Sequence, residues 1–201
     1  MSDISIFHLL EDTSFYKKLK YSLNQNLIQF FAEKAMKDKL DLDVAELACG
    51  SGYGSHLLAA NPRVRQSIAL DISQELFDEK LGENFKAKYI TGDIFSLPFT
   101  SNTFDLVWNS SAVEHFDEPL KAIQAMANVT KPGGHVFVGV PYLYGPLAVY
   151  YLAPTQTSRQ WLGKPYSLKE LLGMITRAGL VYQDHIVYFL NFFIGILAVK
   201  Q

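Results

Sequence analysis

A chain of 201 residues is long enough to fold as one domain with a full core, and its formal charge of −2 implies no strong pull toward nucleic acid or an anionic membrane. Its 49 % hydrophobic and 19 % charged residues give an ordinary globular balance. The single cysteine, Cys49, has no second thiol to bridge, and Met1-Ser2-Asp3 does not open a signal peptide, so the expected compartment is the reducing cytoplasm.

Residues 1–40 read as helical. Ile4 to Leu19 carries Phe7, Leu10, Phe15 and Tyr16 between polar residues, and a second stretch repeats Leu23, Leu27, Phe30, Phe31 and Ala35 on one helix face. Alternating units follow. Asp43 to Ala48 reads as a first strand, and Ser55 to Ala60 as a helix stopped by Asn61-Pro62. Gln66 to Asp71 is a second strand, after which Ser73 caps a helix that Gly82 ends. Lys86 to Thr91 and Thr103 to Asn109 are the third and fourth strands. Asp117 is placed to cap a helix with Pro119 in its first turn and with Leu120, Ile123 and Ala127 inward, and His135 to Val140 is the fifth strand. This alternation predicts an α/β fold with a parallel sheet and helices on both faces.

The pattern breaks after Val140. Residues 141–165 hold four prolines together with Tyr150, Tyr151, Arg159 and Trp161, and read as a lid-like insertion. Ser167 to Glu170 is a capping box that opens a helix carrying Leu168, Leu171, Leu172 and Ile175, closed by Gly179. Leu180 to Leu190 and Phe192 to Lys200 read as two final strands. The apolar run from Ile186 to Val199 is shorter than the ~20 residues that a membrane span needs, so no membrane insertion is expected.

The chain is organised around Val44 to Gly54, an apolar run that ends in Gly50-Ser51-Gly52-Tyr53-Gly54 before helix-forming residues. Such a loop lets backbone approach a ligand and leads to a helix N-terminus that favours an anion. Ser55 stands where the dinucleotide fingerprint has its third glycine. Glu46, Asp71 and Asp93 each end an apolar run, and acids at successive strand ends converge on the crevice where open α/β sheets bind ligands.

These residues resemble a family. Glu46-Leu47-Ala48-Cys49-Gly50-Ser51-Gly52 is similar to the first motif of class I S-adenosylmethionine-dependent methyltransferases, in particular the small-molecule, type 11-like group. Ala69-Leu70-Asp71-Ile72-Ser73 resembles the second motif, and Gly92-Asp93-Ile94 through Leu97-Pro98-Phe99 the third. Phe104 to Trp108 with Val113-Glu114-His115-Phe116 resembles the fourth, and Lys131-Pro132-Gly133-Gly134 completes the set over roughly residues 40–140. Ala48 departs from the pattern, which often has glycine there, and only a small backbone adjustment is expected. The resemblance implies a Rossmann-like, doubly wound, mostly parallel seven-stranded sheet with an antiparallel C-terminal strand. It also implies an N-terminal helical cap over 1–40 and a cofactor-binding domain over 41–201.

By the same resemblance, the cofactor is S-adenosyl-L-methionine. Asp71 takes the ribose hydroxyls with Ile72 beside it, Asp93 takes the adenine amino group with the Ile94 backbone nearby, Gly50 and Gly52 pass under the methionine portion, and Ala48 and Cys49 are further cofactor-binding positions. Glu46 orients the loop or reaches the amino group through water, and Asn109 stands at the position that holds the methionine ammonium. His115, with a near-neutral pKa and a place just after the fourth strand, is the candidate base, with Glu114 as a weaker one. The expected partner is a small-molecule methyl acceptor. Asn109-Ser110-Ser111-Ala112 stands where base-modifying relatives carry Asn/Asp-Pro-Pro-Tyr, so no nucleic acid is expected. No metal-ligand spacing is present, and a homodimer is a further expectation. The alternative function is a non-catalytic S-adenosylmethionine-binding module, acting as a sensor or partner protein.

Overall fold

The structure is a computed structural model that describes residues 14–76, 85–146 and 163–201. Its elements are α1 (Ser14–Lys34), β1 (Leu42–Leu47), α2 (Tyr53–Leu58), β2 (Val64–Asp71), β3 (Lys88–Thr91), β4 (Phe104–Ser110), α3 (Pro119–Val129), β5 (Thr130–Pro141), α4 (Leu168–Arg177), β6 (Leu180–Tyr188) and β7 (Phe193–Lys200). Short 3₁₀ turns lie at Gln74–Leu76 and Val113–His115.

The strands form one seven-stranded sheet in the order β3-β2-β1-β4-β5-β7-β6. β1 pairs in parallel with both β2 and β4, and β7 runs antiparallel to both β5 and β6. Chain order reverses between β1 and β4, so the crevice for a ligand opens at their C-terminal ends. β1 is buried along its whole length, as a central strand covered on both faces should be.

Period-two alternation sorts the core into two layers. From β4 and β5, Leu106, Trp108 and Phe137 face α1, where Leu27, Phe30, Phe31 and Ala35 meet them. Phe31 sets its ring edge-on to Trp108 at 5.5 Å and to Phe137 at 5.0 Å. The intervening residues Val107, Val136 and Val138 face the other way, onto Ile123 and Met126 of α3 and Leu171 and Ile175 of α4. The capping box at Ser167 forms as expected, with Ser167 Oγ accepting the Glu170 N–H at 3.2 Å and the Glu170 carboxylate accepting the Ser167 N–H at 2.9 Å.

Several expectations need correction. The two helices read within residues 1–40 are, from Ser14 onward, one continuous helix, because no glycine or proline interrupts Ser14 to Lys34. Residues 4–13 lie outside the described residues, as do Gly82 and residues 147–162 of the expected lid. Asp117 does not cap α3. Glu118 holds the cap position without a side-chain bond, and Pro119 opens the helix where no N–H is needed. Leu120 is half-buried rather than core. Ser73 donates its N–H to Asp71 Oδ1 at 3.0 Å.

β5 starts at Thr130 and not at His135, so it includes Lys131-Pro132-Gly133-Gly134. The β4–β5 register shifts between Phe104 and Leu106, an irregularity that absorbs the turn residues without ending the strand. Lys131 Nζ meets Asp105 Oδ2 at 2.8 Å and Asp43 Oδ2 at 3.7 Å, and Arg65 also pairs with Asp43. That ionic cluster ties β1, β2, β4 and β5 at the sheet end away from the crevice.

Candidate active site

The loop after β1 is built from left-handed backbone. Ala48, Gly50 and Gly52 have φ of 55°, 56° and 69°. A Cβ on Gly50 would meet nothing within 4 Å, so open space fronts the loop at that point. A Cβ on Gly52 would come within 3.0 Å of the Phe85 ring. Gly54, inside α2, answers to packing instead: a Cβ there would fall 2.4 Å from Trp108 Cη2 and 2.6 Å from Asn24 Oδ1.

Side chains from neighbouring strands brace the loop. Glu46, at the end of β1, accepts both the Ser55 N–H at 2.8 Å and the Ser55 hydroxyl at 2.7 Å through Oε2. A buried carboxylate thus caps the first turn of α2, where the positive end of the helix favours it. Asp71 ends β2 at 6 % exposure, and its Oδ2 accepts the Gly50 N–H at 2.7 Å. Tyr89, from β3, donates to the Ser73 carbonyl at 2.9 Å and lies 3.3 Å from the Gly50 carbonyl. Fully buried Asn109, from β4, donates its amide to the Leu47 carbonyl, and its Oδ1 accepts the Val113 N–H at 3.3 Å.

The structure therefore brings together Glu46, Ala48, Cys49, Gly50, Gly52, Asp71 and Asn109 around one loop. Ile72 follows with its side chain 71 % exposed, an apolar surface beside the acid. Asp93 lies after β3, exposed, with Oδ1 accepting the Phe95 N–H at 2.9 Å. Ile94 is buried in the core, so only its backbone is placed to face a ligand. Burial and the nearby Glu46 and Asp71 charges push the Cys49 thiol far above its usual range, which disfavours the thiolate.

His115 stands apart from the loop, in the 3₁₀ turn after β4. Partial burial lowers its imidazole pKa from the ordinary value. Glu114 beside it is 5 % exposed and accepts the Ser111 hydroxyl at 2.7 Å. Burial pushes the Glu114 carboxyl up to about 7, with its own backbone and Ser111 opposing.

Sequence reasoning missed Ser55, Tyr89 and Ser111. Ser55 reads from the sequence as a helix start and a missing glycine, and nothing local pairs it with Glu46. Tyr89 carried the signal of a polar-ended residue within a strand, but its partners are loop carbonyls distant in sequence. Ser111 adopts φ of 65°, which no local pattern announced.

Residues 45–138 match a family model described as a methyltransferase domain. Malonyl-[acyl-carrier protein] O-methyltransferase of Erwinia billingiae is 36 % identical over 94 residues, 46 % of this chain and 36 % of that protein. Demethylmenaquinone methyltransferase of Renibacterium salmoninarum is 36 % identical over 97 residues, 47 % of this chain and 39 % of that protein. The aligned region thus spans well under half the length of these curated relatives. Among solved structures, one from the complex between the Haloferax volcanii Trm112 methyltransferase activator and a candidate methyltransferase superposes with a TM-score of 0.74. It is 17 % identical and covers 99 % of both chains, which speaks to the fold.

Proposed function

We propose that this protein transfers a methyl group from S-adenosyl-L-methionine to a small-molecule acceptor, a reading supported by the match of residues 45–138 to a methyltransferase-domain model and by the order of the sheet. The observation that carries this reading is the glycine loop held by Asp71, with open space in front of Gly50 and exposed Ile72 beside it. The fit to the donor is good. Each Asp71 oxygen accepts one backbone N–H and keeps a further lone pair for a ribose hydroxyl. Ile72 offers an apolar face to adenine, and exposed Asp93 an acceptor for its amino group.

When bound, S-adenosyl-L-methionine supplies an electrophilic methyl on a sulfonium, so the chain supplies position and surroundings. Glu46 fixes the first turn of α2 and with it the loop. Asn109 holds the loop carbonyls of Leu47 and Ala48 in place. His115 takes the acceptor's proton at an imidazole that burial keeps neutral. The names of the two relatives above, a malonyl-[acyl-carrier protein] O-methyltransferase and a demethylmenaquinone methyltransferase, support an organic acceptor. No helix among the described residues is long and apolar enough to cross a membrane. The reading includes a cytoplasmic site of action, supported by the lone Cys49, and a homodimer, which light scattering on the purified chain tests.

Isothermal titration with S-adenosylmethionine and its demethylated product, with NAD as control, tests the donor. Micromolar binding of the first two alone is the expected result. Binding of NAD alone, or of none, sinks the reading.

A further inference from the structure

Glu114 is a buried acid that the loop and the donor do not use. It sits in the turn after β4, and the backbone closes over it: a Cβ on Gly163 would fall 2.5 Å from Glu114 Cγ, and the Lys164 N–H donates to the Glu114 carbonyl at 3.2 Å. Its Oε1 accepts the Ser111 hydroxyl at 2.7 Å. Its Oε2 is fully buried and has no hydrogen-bond partner among the described residues. Buried polar atoms in native folds are nearly always satisfied, so an acid left half-unsatisfied at a crevice calls for a reason.

One group lies within reach of that carboxyl. His115 Nε2 is 3.9 Å from Glu114 Oε1, the oxygen that also accepts from Ser111, too long for a hydrogen bond but close for a charge pair once the imidazole takes a proton, with the Glu114 side chain wholly buried and that of His115 39 % exposed. The imidazole can meet an acceptor while the carboxyl stays out of water. Two nearby groups among the described residues are already engaged. From β6, Tyr188 is buried with its hydroxyl 2.8 Å from Ser110 Oγ, and burial keeps its phenol protonated. From the segment before α4, the Lys164 ammonium is engaged by Glu170 at 3.3 Å.

We propose that Glu114 is the positioning counter-charge for His115: the buried carboxylate stabilises the imidazolium formed when His115 takes the proton of the methyl acceptor, so the two residues act as one acid–base unit. This rests on the methyl-transfer reading above. The balance is that of a substitution. The acceptor's lone pair forms the new bond to the methyl carbon, and its O–H or N–H proton goes to His115. The pair from the broken carbon–sulfur bond stays on the donor's sulfur. One proton and one negative charge are then shared within the Glu114–His115 pair, which titrates as a unit.

The test is an NMR titration of His115 in the full chain without donor, its signal assigned with His115→Gln. The wild-type ring should show two inflections, one of them following the Glu114 carboxyl in glutamate-labelled protein. Glu114→Gln, which keeps the size and the contact with Ser111, should leave one inflection and lower the proton affinity of His115 by about tenfold. A single His115 inflection, unchanged in Glu114→Gln, would overturn the proposal. If that variant does not fold by circular dichroism, the wild-type curves decide alone, and independent single inflections of the two groups count against the pair. Donor calorimetry is scored separately. Coupled titration without donor binding upholds the pair and removes the methyl-transfer reading, while donor binding with uncoupled titration does the reverse.

Discussion

The Asp71 carboxylate reaches across from β2 to accept the Gly50 N–H at 2.7 Å, so the acid that faces the crevice also fixes the loop beside it. A charge-assisted hydrogen bond of this kind is worth about 1.5–3 kcal/mol. Asp71→Ala should therefore lower both thermal stability and S-adenosylmethionine affinity, the latter by at least about tenfold, with Asp71→Asn intermediate. Calorimetry on the folded variants checks this, and wild-type affinity in Asp71→Ala would remove the carboxylate from the donor site.

Ala48 pays for left-handed backbone at φ 55° without being glycine. For a residue with a Cβ that conformation costs roughly 1–2 kcal/mol, against roughly 0.4–1 kcal/mol of extra chain entropy for glycine in the unfolded state. Ala48→Gly should be net stabilising by about 0.5–1 kcal/mol. A urea midpoint that stays put or falls would show that the loop carries no such strain.

Gly54 lets α2 lie directly on Trp108. Gly54→Ala would place a methyl 2.4 Å from the indole and should cost about 1–3 kcal/mol by overpacking. The tryptophan emission should shift with the loss of stability. An unshifted spectrum with unchanged melting would mean that the helix moves away freely.

Glu46 and Ser55 are buried together, so Glu46→Ala strands the buried Ser55 N–H and leaves its hydroxyl only the Ile68 carbonyl at 3.4 Å. The expected loss is about 1–3 kcal/mol, and Glu46→Gln, which can still accept both bonds, should recover part of it. Denaturant melts of the two variants measure the difference. Equal losses would assign the effect to charge alone.

Glu114 sets a pH dependence of stability. Its carboxyl pKa rises from 4.5 to about 7 in the fold, so the folded state holds this proton more tightly than the unfolded one. The contribution is complete below pH 4.5 and is lost as pH rises through about 7, a change on the order of 3 kcal/mol at most. Glu114→Gln should flatten that limb of the stability curve in melts from pH 4.5 to 8. An unchanged limb would mean that another group titrates there.

The sequence by itself determined the strand–loop–helix unit at Val44 to Gly54, the acids at the ends of β1, β2 and β3, the capping box at Ser167 and the final strand pair. Each rests on local chemistry: apolar runs, turn residues and a side chain that reaches its own helix end. It was misled where local signals met tertiary demands. The fifth strand read as starting at His135, yet β5 starts at Thr130 because the pairing with β4 takes up the irregularity. Asp117 read as a cap, yet the chain enters α3 one residue later.

Only the tertiary structure decided what the acids do. Asp71 and Gly50 are 21 residues apart, as Glu46 and Ser55 are 9 apart, and no periodicity says which N–H a carboxylate will take. Burial decided the rest. Glu114 and His115 are neighbours in the chain, one sealed beneath Gly163 and the other keeping an open edge, and burial disfavours the charged form of each, so it pushes the carboxyl up and the imidazole down.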